Sequence, residues 1–221
     1  MLYVIGTPIG NLDDITLRAL ETLKAVDVIA AEDTRHSGNL LRHFEIRKPL
    51  VSYHQHNEAM RTAELAERLA NGENVALITD AGMPGVSDPG ARLIRACLER
   101  GLEFTVVPGV SAVLTALVGS GFSMEQFCFH GFLPVKSGGR ERDLRAAAER
   151  EETSVFFESP HRIAKTLAAC AEIMPERQLC VARELTKKFE EFRRGTAAEL
   201  LAHYTARPPK GEITFLVAGC G

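Results

Sequence analysis

Neither an excess of basic residues nor a membrane-spanning apolar run is present in this sequence. The 221 residues include 26 lysines and arginines and 29 aspartates and glutamates, which gives a formal net charge of −3. Without a global positive field, any binding to nucleic acid would depend on local basic contacts. Residues 1–5 lead into a glycine loop and have neither the basic segment nor the long apolar segment of a signal peptide, so we expect a cytoplasmic protein without a membrane anchor.

The cysteines and histidines are too scattered for a disulfide framework or a metal site. The number of cysteines is odd, no Cys-x-x-Cys pair occurs, and two of them fall on apolar helix faces, so we interpret them as reduced core thiols. His54 and His56 could share one face of a strand, but no third ligand is spaced to complete a site, and we expect no metal. The five cysteines are Cys97, Cys128, Cys170, Cys180 and Cys220.

Signatures of phosphate binding and of hydrolytic triads are also missing. There is no Walker A sequence and no nucleophile elbow. The loop Gly6-Thr7-Pro8-Ile9-Gly10 follows a first strand, with Glu32-Asp33 about twenty residues later, which imitates a dinucleotide fingerprint. Its glycine spacing is wrong, however, and Pro8 removes a backbone donor where a pyrophosphate would need one. A ligand without phosphates fits this loop better.

Glycine-rich turns between strands and helices are the most informative feature that is present. Residues 80–90 contain three glycines and two prolines, after a buried strand at 75–79 and before a helix that we expect to be capped by Asp88 and to stop at Gly101. Pro108-Gly109 forms a third turn of this kind. Three such turns at strand ends predict a pocket lined by backbone.

The order of predicted elements indicates two α/β domains. Residues 1–119 alternate strands and helices, which favours a mostly parallel sheet covered on both faces; residues 120–221 form a second α/β domain. Within it, residues 136–140 are expected to form a mobile basic loop, and Thr196 with Glu199 a capping box. The charges at 158–162 and 183–187 follow strands, and either surface ion pairs or a polar wall facing the pocket would explain them.

Taken in order, these motifs resemble the tetrapyrrole-methylase fold superfamily and, within it, the methyltransferases that act on small-subunit ribosomal RNA. The resemblance implies two α/β domains with S-adenosylmethionine bound in the interdomain cleft, a homodimer, and methylation of a cytidine ribose 2′-hydroxyl in the decoding region of 16S rRNA. The matching segments span nearly the whole chain; they are Thr7-Pro8-Ile9-Gly10-Asn11-Leu12, Ala31-Glu32-Asp33-Thr34-Arg35, Asp80-Ala81-Gly82, Ser87-Asp88-Pro89-Gly90, Gly131-Phe132-Leu133-Pro134, Glu158-Ser159 with His161-Arg162, Ala182-Arg183-Glu184-Leu185-Thr186-Lys187 and Lys210-Gly211-Glu212.

Site residues are expected from the charges that follow predicted strands and, for the cofactor, from the resemblance. We expect Glu184 or Lys187 to assist removal of the hydroxyl proton, with orientation alone as the competing explanation. Local basic residues at the substrate surface are expected to be Arg35, Lys136, Arg140 and Arg162, with Lys187 nearby. Positions that match the family's cofactor contacts are Ile9, Asp80, Gly82, Met83, Ser111, Ala112, Phe157, Glu158, Ala182 and Ile213.

Two other functions remain open on the sequence. A tetrapyrrole carbon methyltransferase of the same superfamily would resemble Gly-x-Gly-Pro-Gly at the first loop, where this chain has Gly6-Thr7-Pro8-Ile9-Gly10. A non-catalytic rRNA-binding module would not need three ligand-type loops. Relatives commonly continue past the last strand with a small helical extension, whereas this sequence stops at Gly219-Cys220-Gly221.

Overall fold

The computed structural model describes residues 1–220, and these divide into two compact units. The first runs from Met1 to Ser111 and the second begins at Ala112. The division therefore comes before the helix Ala112–Ser120, which the sequence analysis assigned to the first domain. That helix buries Val113, Ala116 and Leu117 and packs against the strands of the second unit, and this packing determines where it belongs.

The first unit is built on a five-stranded parallel sheet, as predicted. Its strand order is β3-β2-β4-β1-β5, and every neighbouring pair is parallel. Parallel pairing places the carboxyl ends of all five strands at one edge. The strands are β1 (Leu2–Ile5), β2 (Val28–Ala31), β3 (Leu50–Ser52), β4 (Val75–Ile78) and β5 (Phe104–Val107); the helices are α1 (Leu17–Ala25), α2 (Thr34–His43), α3 (Glu58–Ala70) and α4 (Ala91–Arg100).

Both faces of this sheet are covered, which explains why its central strands are apolar throughout. All four residues of β2 and of β4 are buried. Successive side chains of a strand point to opposite faces, so Leu77 belongs to one core cluster and Ala76 and Ile78 to the other. Cys97 on α4 is fully buried in the first cluster, which confirms its reading as a core thiol.

The second unit contains a mixed sheet. Its order is β6-β7-β10-β8-β9; β6 and β7 are parallel and the other pairs are antiparallel. Phe156, Phe215 and Cys170 lie in its core, where all three are fully buried. The strands are β6 (Phe127–Phe132), β7 (Thr153–Glu158), β8 (Leu179–Arg183), β9 (Glu191–Gly195) and β10 (Ile213–Val217); the helices are α5 (Ala112–Ser120), α6 (Ser137–Ala148), α7 (Ile163–Ile173) and α8 (Ala197–Ala206).

The prediction of a mobile basic loop at residues 136–140 is wrong. These residues start helix α6, which is held down because Leu144 and Ala147 bury against the second core. Gly139 lets the first turn approach Pro134, whose Cβ would lie 3.0 Å from a Cβ on the glycine. Arg140 is consequently only 8% exposed, and one guanidinium nitrogen donates to the carbonyl of Val135 at 3.4 Å.

Helix ends follow the sequence signals in two of three cases. Thr196 and Glu199 form the predicted capping box, and Gly101 ends α4 in the left-handed conformation at φ 64°. Asp88 does not cap α4: the N–H of Gly85 bonds to the carbonyl of Pro89 and holds this segment in a turn, so the helix starts only after Gly90, whose φ is 139°.

A close backbone contact fixes the ends of β1 and β5. The N–H of Gly6 donates to the carbonyl of Val107 at 3.1 Å and continues the strand pairing by one residue. Added Cβ atoms would not fit there: one on Gly6 would lie 2.7 Å from the Cα of Gly109, and one on Gly109 would lie 2.9 Å from the carbonyl carbon of Gly6. These two glycines are therefore required by packing.

We predict that Gly109→Ala lowers the free energy of unfolding by about 1–3 kcal/mol, because its methyl group would overpack against backbone that cannot move easily. Gly138→Ala is the matched control, since Gly138 is an exposed position of helix α6 and its Cβ would meet nothing within 4 Å. The control should be neutral or stabilising by up to about 1 kcal/mol. Urea unfolding of both variants measures the difference, and equal effects would contradict the packing argument.

Candidate functional site

Three glycine-containing loops lie side by side at the carboxyl edge of the first sheet. Residues 6–11 follow β1, residues 80–90 follow β4, and residues 108–111 follow β5. Because β4, β1 and β5 are consecutive in the sheet, their loops are neighbours in space. Ligands of open parallel sheets bind outside this edge.

Backbone hydrogen bonds join the first two loops. Thr7 and Gly82 form an isolated antiparallel bridge, with N–H···O distances of 2.9 and 3.0 Å in the two directions. The buried hydroxyl of Thr7 also donates to the carbonyl of Thr79 at 3.0 Å. The two loops therefore form one rigid surface, and the sequence analysis did not single out Thr7 as the residue that joins them.

A small gap at Gly82 faces apolar and carbonyl groups. Gly82 is left-handed at φ 79°, and a Cβ there would lie 3.6 Å from Cγ2 of Ile9 and 3.9 Å from the carbonyl oxygen of Val110. Ile9 is 6% exposed. The hydroxyl of Thr79, the residue before Asp80, is buried and has no hydrogen-bond partner within residues 1–220. The apolar wall of Ile9 and the carbonyl of Val110 fit a ligand that is part apolar and part polar.

Acidic groups border the same edge. Asp80 accepts a hydrogen bond from the N–H of Asp33 at 3.1 Å, which ties the end of β4 to the end of β2. Burial and the neighbouring charge of Asp80 raise the pKa of Glu32. A second carboxylate here disfavours an anionic ligand group, in agreement with the absence of a phosphate-binding sequence.

Arg35 is exposed but paired. Asp33 caps helix α2 and accepts from the N–H of Arg35 at 2.8 Å, and its carboxylate also contacts the Arg35 guanidinium at 2.9 Å. Hydrogen bonds from Arg35 lower the pKa of Asp33 to about 2. The Arg35 side chain is 89% exposed, so it can still reach a ligand in solvent.

In the second unit, Glu158 forms a buried polar cluster at the end of β7. Its carboxylate contacts Arg162 at 2.6 Å and accepts from the hydroxyl of Thr166 at 2.6 Å and from the N–H of Ser159 at 2.7 Å. Arg162 also donates to the carbonyl of Leu133 at 3.0 Å. The sequence left open a surface ion pair or a polar wall facing the pocket; Glu158 and Arg162 do form an ion pair, but it is not a surface pair, because the carboxylate is fully buried.

Lys187 is held between two carboxylates. Its ammonium group lies 3.2 Å from Glu184 and 2.7 Å from Glu212. Glu212 also donates its N–H to the Glu184 carboxylate at 3.1 Å, and a side chain on Gly211 would collide with that carboxylate. Sequence reasoning missed Glu212, although the segment Lys210-Gly211-Glu212 had been singled out for its resemblance.

This arrangement determines the charges of the cluster. Burial alone would raise the pKa of Glu184, but the N–H of Glu212 and the ammonium of Lys187 outweigh it and the pKa is lowered. Burial alone would lower the pKa of Lys187, but its two carboxylate partners keep that pKa above its usual value. Lys187 is therefore a cation at neutral pH, and neither group is a strong base in the free protein.

The other expected contacts occupy ordinary positions in their units. Phe157 and Ala182 both pair with Thr214 of the central strand β10, and Ile213 follows Glu212 at the start of that strand. The Met83 sulfur packs close to Gly6. Ser111 ends the first unit, Ala112 begins helix α5, and Lys136 is exposed at the N-cap of α6.

Within residues 1–220, no group of three or more histidine, cysteine, aspartate or glutamate side chains could hold a metal ion. His54 and His56 do not share a strand face. They lie in the turn after β3, where the side chain of Asn57 accepts from the N–H of His54. Over the same described residues, no helix has the length and apolar character needed to cross a membrane.

Comparison with known proteins gives both a family and a fold. Residues 1–201 match the family model described as Tetrapyrrole (Corrin/Porphyrin) Methylases. Ribosomal RNA small subunit methyltransferase I of Synechocystis sp. is 49% identical over 99% of this chain and 79% of its own length. The protein of that name from Thermotoga maritima is 45% identical over 99% of this chain and 98% of its own length.

Solved structures with lower identity share the fold. Uroporphyrin-III-C-methyltransferase from Thermus thermophilus superposes with a TM-score of 0.70 at 23% identity, over 98% of this chain and 93% of its own. Diphthine synthase superposes with a TM-score of 0.73 at 15% identity, over 99% and 90%. The chain belongs to the tetrapyrrole (corrin/porphyrin) methylase family, within the group whose members are named ribosomal RNA small subunit methyltransferase I.

Proposed function

We propose that this protein methylates the ribose 2′-hydroxyl of a cytidine in the decoding region of 16S rRNA, in the small ribosomal subunit. The observation that carries this proposal is 45–49% identity over 99% of the chain to relatives named for small-subunit rRNA methylation. The chain is a methyltransferase of this family, and it uses S-adenosylmethionine. We further propose that it works in the cytoplasm, where its ribosomal substrate is found, and as a homodimer without a metal ion.

The loops of the first unit have the chemistry to hold this cofactor. S-adenosylmethionine supplies a methyl group on a sulfonium centre, and its adenine and sulfonium need close apolar and carbonyl surfaces. Gly82 leaves such a space beside Ile9 and Val110, and Pro8 lacks the N–H that a phosphate would need. We propose contacts from Ile9, Asp80, Gly82, Met83 and Ser111 on this basis, and from Ala112, Phe157, Glu158, Ala182 and Ile213 on the resemblance.

For the methyl acceptor, we propose that the protein contributes position and charge. A ribose hydroxyl must align with the bond that breaks and must lose its proton, which passes to solvent water in this scheme. Lys187 is a cation fixed by Glu184 and Glu212, so it is suited to stabilise negative charge that develops on the ribose oxygen. It is poorly suited to accept a proton, because its raised pKa means that it already carries one at neutral pH.

The expected RNA contacts differ in how available they are. Arg35 and Lys136 are exposed and remain proposed contacts. Arg162 is occupied by Glu158 and the carbonyl of Leu133, and Arg140 is buried in helix α6. We therefore assign Arg162 and Arg140 to holding the second unit together.

Methyl transfer to assembled small subunits and to naked 16S rRNA, followed by mapping of the modified nucleotide, tests the proposed function. The expected result is one 2′-O-methylcytidine in the decoding region. A tetrapyrrole precursor added in parallel is expected to remain unmethylated. Labelled tetrapyrrole with unlabelled RNA would overturn the substrate assignment while leaving the cofactor assignment intact.

We predict that Gly82→Ala weakens S-adenosylmethionine binding by about tenfold or more, because a methyl group placed where a ligand packs costs about 1–3 kcal/mol. Gly72→Ala controls for backbone strain: Gly72 is left-handed at φ 87°, as Gly82 is at 79°, but its Cβ would meet nothing within 4 Å. Isothermal titration of both variants with the cofactor separates strain from contact. Equal affinities in two folded variants would exclude Gly82 from the cofactor site.

Substitutions of Lys187 distinguish a role as a cation from a role as a base, because each role predicts a different variant to be active. Arginine keeps the charge but cannot be deprotonated in proteins. We therefore expect Lys187→Arg to retain most of the single-turnover rate, and Lys187→Met to lose about tenfold or more, which corresponds to about 1.4 kcal/mol at the transition state.

Glu184→Gln completes this test. We expect only a small decrease, because Glu212 still holds Lys187 at 2.7 Å, whereas loss of a catalytic base lowers rates by about 10²–10⁴-fold. Rates are measured with saturating cofactor and RNA. If Lys187→Arg is as impaired as Lys187→Met, Lys187 is a base; if Lys187→Met and Glu184→Gln both keep the normal rate, orientation alone explains the chemistry.

A further inference from the structure

A basic groove in the first unit has no role in the site described above. It is an open cavity of about 870 Å³ between the end of helix α2 and the start of β3. Three cationic side chains line it, Arg42, Arg47 and Lys48, with Glu45 as its one acidic lining residue. We call these residues, together with Leu41 and Ile46, the α2–β3 groove.

The charge of this segment is opposite to that of its surroundings. Residues 1–111 contain 11 basic and 15 acidic residues, but residues 35–48 contain four basic residues and one acidic residue. A local positive surface on an acidic unit concentrates the field at one place. The groove is therefore the part of the first unit to which a polyanion would be attracted.

The cations of the groove are not used by the protein itself. Within residues 1–220, neither Arg47 nor Lys48 takes part in an ion pair, and Arg42 only donates to the side chain of Asn39 at 2.9 Å. Arg35, Arg162 and Lys187, by contrast, each contact a carboxylate. The three cations of the groove are thus not held by a carboxylate of the described residues.

Helix stabilisation explains only part of this cluster. Arg42 and His43 occupy the last turn of α2, where positive charge interacts favourably with the helix dipole. Arg47 and Lys48 lie beyond the end of the helix and have no such interaction. Bidentate arginine and point-charge lysine together are typical of surfaces that hold phosphate oxygens.

We propose that the α2–β3 groove binds backbone phosphates of the RNA substrate at a distance from the reacting ribose. This inference rests on the proposed rRNA methylation. Helix α2 has ten residues and begins at the carboxyl edge of the sheet, so the groove at its far end is about 15 Å from the cofactor loops. Contacts there carry no sequence information and contribute to affinity and register.

The test compares R47A/K48A with R95A/K24A, which removes the same charge from two exposed positions of the first unit outside the groove. The probe is a 16S rRNA transcript, titrated at salt concentrations from about 50 to 200 mM. Each lost phosphate contact makes the slope of log affinity against log salt concentration shallower by about 0.7–0.9. Over this fourfold salt range, the ratio of low-salt to high-salt affinity should therefore fall about threefold for one lost contact. For R47A/K48A, which loses two contacts, it should fall about tenfold. The control variant should follow the wild type.

Cofactor affinity and thermal midpoint, measured on both variants, show that they are folded, and R42Q provides a second, single-charge variant with an expected threefold change. If R47A/K48A and the control have the same salt slope, the groove does not bind RNA. If R47A/K48A is impaired only on assembled subunits and normal on the transcript, the groove binds an acidic protein and the inference is overturned. If the wild type methylates no rRNA, the proposed function fails instead.

Discussion

Pairing of β1 with both β4 and β5 is the constraint on which the rest of the first unit depends. It brings three strand ends to one edge, and the loops that follow are then fixed by backbone contacts of Gly6 with Gly109 and of Thr7 with Gly82. These contacts are made by main-chain atoms, so they tolerate little movement. A rigid edge of this kind can keep the small gap at Gly82 open, because its walls are already bonded to each other.

Glycines that look alike in the sequence are required for different reasons in the structure. Gly6 and Gly109 are needed because two backbones touch, and Gly211 is needed because the Glu184 carboxylate occupies the place of a side chain. Gly82 combines a left-handed φ with only ordinary van der Waals contact around a Cβ. Among these four glycines, only Gly82 has room for a Cβ, and this makes it the informative one for ligand binding.

Sequence patterns predicted the fold better than the site, for a physical reason. Strands β2 and β4 and helix α4 are recognisable because burial on both faces or along one stripe leaves a periodic signal. Strand β9 (Glu191–Gly195) was missed because it is an edge strand with three charged residues. Ion pairs leave no such periodic signal, because Glu212 lies 25 residues from the Lys187 that it contacts. The burial of Arg140 depends on how helix α6 packs, which no local sequence pattern predicts.

The distribution of ion pairs determines which cations can serve an RNA substrate. A cation already paired with a buried carboxylate would leave that carboxylate unpaired if it moved to a phosphate, and an unpaired buried charge is strongly unfavourable. Arg162 is in this position, since the Glu158 carboxylate it contacts is fully buried. Moving Arg35 costs less free energy, because the Asp33 carboxylate is exposed to solvent and also accepts the backbone N–H of Arg35. Net charge is thus a poor guide to RNA binding in an acidic chain: what matters is which cations are not held by a carboxylate, and Arg42, Arg47 and Lys48 of the α2–β3 groove are three of these.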